Sequence, residues 1–406
     1  MKFNFARMVV FMATFGFLYS CAPVDHLQQA KNQKDNQRFS NALESANRAV
    51  EKEPTNVEAL VLRAEILSSF ARSQPSNERA ELYTDMVRTI ERTIGLANET
   101  NNTSIEQRAV QLKSAAFNHE YESALVFLDK RVSEENPAGM LPAIPHLENA
   151  RIIQPGYEDI YESLVHVYAS NQEYEQAIYI LLEIRESTGF DIRRHELMGF
   201  LYYQIEDYVR AVDHLQFAWM NGRGTPNSGR GLANAFKKLE DFSSEREVLE
   251  QLSEIEPENL YHQIALGKNL AQELSEIILT LKNDGVTPSV REQAEQLFSD
   301  TERIESVFLS AVQIEEEHIL ANLSAGLFLR NTAFLLKQEM PFLRRVLAED
   351  ELTVKTDDLL YRSLIYLERA VELDPDQPLI WAALWPVYDV LDMPEQAKDA
   401  KQRSEN

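Results

Sequence analysis

Residues 158 to 259 repeat at an interval of 34, which restricts the chain to architectures that stack one small unit on the next. Tyr168, Tyr202 and Phe236 are 34 residues apart, as are Leu164, Met198 and Leu232. Gly199, Ala233 and Gly267 keep the same spacing, and so do Leu147, Leu181, Leu215 and Leu249. Pro155 and Pro257 stand three periods apart. Each unit carries two apolar stripes of helical periodicity. A unit of that size cannot bury both stripes alone, so neighbours must stack to form a continuous core.

A 34-residue unit of two helices resembles the tetratricopeptide repeat (TPR). The resemblance implies an all-α fold: a TPR-type solenoid of helical hairpins, a right-handed superhelix, with irregular and inserted helices where the pattern lapses. The units are 158–191, 192–225 and 226–259. The first matches at Tyr161, Leu164, Tyr168, Ala177 and Leu181, the second at Gly199, Tyr202, Ala211, Leu215 and Ala218. The third matches at Leu232, Ala233, Phe236, Leu249 and Pro257 but has Glu245 where alanine is usual, which predicts a looser helix crossing at that level. The last hairpin matches at Trp381, Leu384, Tyr388 and Ala397.

This pattern organises the chain. Residues 1–20 read as a leader, 21–37 as a polar tether or first helix, and 38–155 as degenerate N-terminal units. A regular central array is expected over 156–283, and further helical units over 284–406 with an insertion near 337–357. Individual helices are expected at Phe39–Pro54, Val57–Phe70 and 104–132, with a polar loop from Asn98 to Thr103. Beyond Leu260 the period dissolves into long helices, about 260–282 and 289–315.

The leader has a distinct signature. Lys2 and Arg7 flank an apolar run from Met8 to Tyr19, too short for a bilayer, which needs about 20 residues. The run ends in Leu18-Tyr19-Ser20-Cys21, and Cys21 is the only cysteine. This resembles a bacterial lipobox, which implies lipidation at Cys21 and membrane attachment through the lipid. Ala22 rather than aspartate after the cysteine points, by the same resemblance, to the outer membrane, facing the periplasm. A formal charge of −25 argues against nucleic acid as a partner, because phosphate recognition needs clustered Lys and Arg.

No constellation in the chain supports catalysis, so no catalytic residue, metal or cofactor is assigned. Gly224 to Gly231 has the spacing of a phosphate-binding loop, but Arg230 replaces its lysine and Gly231 its Ser or Thr. It reads as an inter-repeat turn. Glu315 and His318 make one E-x-x-H without the second copy that a di-iron site requires, and read as part of a solvated helix face. His195-Glu196 opens a zinc motif, but Gly199 stands where the second histidine is needed.

What remains is a surface. In the TPR family the first helices of successive units line a groove. The corresponding positions here are Glu162 and His166; Arg193, Glu196, Phe200 and Tyr203; and Asn227, Arg230, Asn234 and Lys237. Spacings of three and four put each set on one helix face. Aromatic and basic groups together suit an extended peptide carrying an apolar anchor and a carboxylate. The chain therefore reads as a lipid-anchored scaffold or adaptor for a protein or peptide partner in envelope assembly, secretion or polysaccharide machinery. The alternative is a glycan- or nutrient-binding lipoprotein of an outer-membrane uptake system.

Overall fold

The computed structural model describes residues 25–128, 137–188, 191–221 and 225–405, with residues 185–188 described in backbone only. Cys21, the leader and Gly224 lie outside the described residues. Those described form nineteen α-helices and no strand. The chain is all-α, a succession of TPR-type helical hairpins. It divides into two compact units between Ser187 and Thr188.

The 34-residue interval reappears in the backbone. First helices begin at Glu158, Ile192, Pro226 and Leu260, and second helices at Tyr174, Tyr208 and Phe242. Between them sits one residue in the left-handed region: Gln172 (φ 63°), Glu206 (φ 62°) and Glu240 (φ 58°). The next N–H then reaches back to the aromatic of the first helix, Glu173 to Tyr168 O at 2.9 Å, Asp207 to Tyr202 O at 3.0 Å, and Asp241 to Phe236 O at 3.0 Å. This is a Schellman closure, which satisfies carbonyls that the helix end would otherwise leave open. The same closure recurs at Gln37, Asn101 and Asp392. Helix starts are secured by side chains such as Asn56, Asp191 and Asp241, which accept from the N–H three residues on.

Within a hairpin the helices touch through a small residue. A Cβ at Gly199 would lie 2.5 Å from Leu215 Cγ, and one at Gly326 would lie 2.6 Å from Leu367 Cγ. In the last hairpin Trp385 occupies the small position, and Lys401, sixteen residues on, lies over its ring at 5.4 Å. A cation–π contact replaces the glycine–leucine contact there.

The first unit contains α1 (His26–Asp35), α2 (Phe39–Lys52), α3 (Val57–Ser73), α4 (Ala80–Glu99), α5 (Thr103–Leu125), α6 (Ala143–Ile153), α7 (Glu158–Ser170) and most of α8 (Tyr174–Thr188). The expected loop over Asn98–Thr103 is narrower in the structure: α4 runs through Glu99, and left-handed Asn101 turns the chain in three residues. The helix expected over 104–132 is shorter in the structure: it ends at Leu125, where Val126–Leu128 turn away, and the expected end at 132 lies outside the described residues.

A fully buried carboxylate ties this unit together. Glu120 on α5 accepts from Arg79 Nη1 at 2.8 Å and Tyr83 Oη at 2.7 Å through one oxygen. Its other oxygen lies 2.7 Å from His146 Nδ1 and 3.4 Å from Asn149 Nδ2. Burial alone would raise its pKa. The donors Tyr83, Arg79 and His146 outweigh that and hold it below the usual carboxylate range, while burial and the same carboxylate push the Tyr83 phenol up.

The second unit continues with α9 (Ile192–Gln204), α10 (Tyr208–Asn221), α11 (Pro226–Lys238), α12 (Phe242–Ile255), α13 (Leu260–Thr280) and α14 (Pro288–Ile314). It ends with α15 (Ile319–Gln338), α16 (Met340–Leu343), α17 (Glu349–Leu373), α18 (Pro378–Val390) and α19 (Pro394–Ser404). Helix α15 is long and apolar enough to cross a membrane, yet much of it is buried against α13, α14 and α17 as a core helix. The segment expected as an insertion over 337–357 contains a shorter break. Only 339–348 departs from the long helices, with Leu343 and Val346 buried, and the acidic stretch from Glu349 is already the start of α17. Buried Glu339 receives Lys282 Nζ at 2.9 Å and 3.0 Å, which fixes the break against the end of α13.

The Glu120 cluster sets a pH dependence with a definite sign. A carboxylate held below its ordinary value near 4.5 contributes stability above that value and loses it as pH falls through the folded pKa. Glu120→Gln should melt well below wild type at pH 7. Thermal melts followed by circular dichroism should show that gap narrowing once the pH drops below about 4.5.

Candidate functional site

The residues singled out for a groove sit on the first helices of three hairpins. Glu162 and His166 are exposed on α7, in the first unit. The other eight lie in the second unit, on the neighbouring helices α9 and α11.

Helix packing engages several of these eight. Glu196 accepts from Thr225 Oγ1 at 3.2 Å and from buried Ser228 Oγ at 3.1 Å, so its carboxylate receives hydroxyls at the start of α11. Phe200 is half-buried over Gly231, where a Cβ would lie 2.6 Å from its ring. That contact makes Phe200 part of the α9–α11 seam and only partly available as an anchor. Tyr203 is half-buried edge-on to Tyr208, ring centres 5.3 Å apart. Arg230 reaches Glu256 Oε2 at 2.9 Å and Asn227 Oδ1 at 2.7 Å, so its charge is already matched. Arg193, Asn234 and Lys237 are exposed and make no hydrogen bond or ion pair among the described residues.

Lys237 leads into a concavity absent from the sequence-based expectation. An open cavity of about 620 Å³ lies between the end of α11, the start of α12, and helices α13, α14 and α15. Phe308 and Phe328, ring centres 5.3 Å apart, form its floor. Leu320, Leu323 and Leu327 line one side as a stripe on α15. Lys237 and Lys268 line the opposite side, with Asn269 and Glu245 beside them. Partial burial, and then the neighbouring Lys237 ammonium, hold Lys268 below the usual lysine range.

Glu245, the departure from the repeat pattern, is buried at the small position of α12. A polar contact occupies this position: Asn269 Nδ2 donates to Glu245 Oε2 at 2.8 Å and to Phe242 O at 3.0 Å. Burial pushes the Glu245 carboxyl up, offset only in part by Asn269 and the charge of Lys237. Residue type at position 245 was the one signal in the sequence for this site. The partners from α14 and α15 could not be found by extending the period.

Two other sequence features take different places. Glu315 to His318 is not a helix face but the turn between α14 and α15. There His318 Nδ1 caps α15 by accepting from Ala321 N at 3.3 Å. The aromatic faces of Trp381 and Trp385 carry Arg403, at 4.7 Å, and Lys401, so neither ring is bare for stacking.

No protein-family model and no curated protein matches the chain. Solved structures similar to it include YrrB, described as a TPR protein with an unusual peptide-binding site. It has 17% identity over 58% of this chain and 96% of that one, at a TM-score of 0.38. A TPR repeats protein from Bacteroides fragilis has 15% identity over 57% and 98%, at 0.33. The P58(IPK) TPR domain has 13% identity over 94% and 91%, at 0.29. With scores of that size, the fold assignment rests on the chain's own helices and turns.

Glu245 should show the opposite pH sign to Glu120. A carboxyl raised above its ordinary value near 4.5 contributes stability below that value and loses it as pH rises through the folded pKa. Glu245→Gln should therefore gain on wild type in melting temperature from pH 4 to pH 8. A constant difference across that range would exclude a burial penalty on the ionised form.

Proposed function

We propose that the chain is a lipid-anchored adaptor, acylated at Cys21. It holds a partner protein at the periplasmic face of the outer membrane, within envelope assembly, secretion or polysaccharide machinery. The observation that carries the binding part is the α9–α11 face. Glu196 and Phe200 lock the two helices into one surface, and Arg193, Asn234 and Lys237 stand on it uncommitted. A positive edge in a chain of net charge −25 favours an acidic partner segment and rejects a basic one. The half-exposed rings of Phe200 and Tyr203 supply apolar area beside it. An extended segment laid across successive first helices gains contacts from each, while the scaffold pays little ordering entropy. The anchor rests on the resemblance of residues 18–21 to a lipobox, and the envelope address on Ala22.

The test keeps helix packing intact by altering exposed residues only. Arg193→Glu with Asn234→Glu should leave the melt unchanged and reduce recovery of the specific envelope partner in crosslinked pull-downs by about tenfold or more. Equal recovery would reject this face. In the same cells Cys21→Ser should move the chain out of the membrane fraction, and retention there would reject the lipid anchor.

A further inference from the structure

The cavity between α11, α12, α13, α14 and α15 combines two features that rarely coexist without a ligand. Its wall is apolar and wet: Leu320 is 37% exposed, Leu323 and Leu327 are half-buried, and all three face the same space above Phe308 and Phe328. Its rim carries two lysines that form no ion pair among the described residues. Acidic residues outnumber basic ones 65 to 40, and Lys34, Lys282, Lys337 and Lys355 each reach a carboxylate. Lys237 and Lys268 reach none among the described residues, and the charge of Lys237 acts on Lys268.

Two carboxylates also line the space, and neither neutralises the pair. Glu245 is buried, with an oxygen engaged by Asn269, and Glu240 stands in the exposed turn between α11 and α12. A volume near 620 Å³ falls within the roughly 300–1,000 Å³ of small-molecule sites, which are mostly apolar with a few placed polar groups.

We propose that this cavity binds a small amphiphilic carboxylate, its acyl or aryl body against the leucine–phenylalanine wall and its anion between Lys237 and Lys268. The anion relieves the repulsion between two ammonium groups and takes charge-assisted hydrogen bonds from both. The body removes three half-exposed leucines from water. This site goes beyond the adaptor reading and does not depend on it, since the variants that test that reading, at Arg193 and Asn234, lie outside the cavity.

Isothermal titration of the whole chain with decanoate and with 4-phenylbutyrate tests the proposal, with decyltrimethylammonium as the cationic counterpart. At least one carboxylate should bind at a single site. Lys237→Met with Lys268→Met should weaken it about tenfold or more. Leu323→Glu, with helical content checked by circular dichroism, should also weaken it. Lys398→Met, outside the cavity, should leave the affinity unchanged. Three results would each overturn the proposal: no binding of either carboxylate up to about 1 mM, equal affinity for the cationic probe, or unchanged affinity in the double lysine variant.

Discussion

How closely the two helices of a hairpin approach governs the rest of this molecule. At Gly199 and Gly326 the backbone of the first helix rests on a leucine of the second, with no room for a Cβ. That approach fixes the crossing, and the left-handed residue in the turn, Gln172, Glu206 or Glu240, fixes where the second helix departs. Glycine costs a helix about 0.5–1 kcal/mol relative to alanine. A buried Leu215 or Leu367 returns roughly 1.5–3 kcal/mol, so the contact outweighs the loss. None of the six left-handed turn residues is glycine. Each conformation is held instead by the hydrogen bonds of the closure, which makes the turn a consequence of packing on both sides.

The regular spacing ends beyond α12, although Gly267 of α13 keeps the close approach, a Cβ there lying 2.7 Å from the Phe308 ring. Glu245 replaces the small residue of α12, and its carboxyl needs a buried polar partner, which only Asn269 supplies. The next two helices, α13 and α14, have 21 and 27 residues against 13 and 14 in the pair before them. Helices of unequal length cannot cover one another's apolar stripes completely. The cavity lies beside these longer helices, with Leu320, Leu323 and Leu327 of α15 along its wall.

The regular hairpins were legible in the sequence because one small position, one aromatic position and one turn recur at a fixed interval. That interval placed the starts of α7, α9, α11 and α13 to the residue. It also put Arg193, Asn234 and Lys237 on exposed faces, since spacing of three and four is enough to place a side chain outward. It did not show that Phe200 would lie over Gly231, or that Arg230 would be met by Glu256, because those contacts join residues of different helices. The cavity was illegible for the same reason: its lysines come from α11 and α13 and its leucines from α15, with no period connecting them. The acidic stretch before Leu359 looked like an insertion because its few apolar residues, Leu352 and Val354, are set among acidic ones and Val354 faces outward. It is helical because three acidic residues in its first turn complement the helix dipole, and because Leu352 and Thr356 are buried.

Charge separates the two roles of basic residues here. Arg79, Arg151, Arg230, Lys282 and Arg362 each join a carboxylate on another helix or turn, and the partners Glu120, Glu305 and Glu339 are buried. Removing the partner of buried Glu120, Glu305 or Glu339 leaves a desolvated charge, at a cost of about 3–5 kcal/mol, so those partners belong to the fold. Exposed pairs are worth less than about 1 kcal/mol and add little to it. Arg193, Lys237 and Lys268 belong to neither group, since among the described residues no carboxylate pairs with them. Leaving them unmatched gains the folded chain nothing, and their charge is available to an incoming anion.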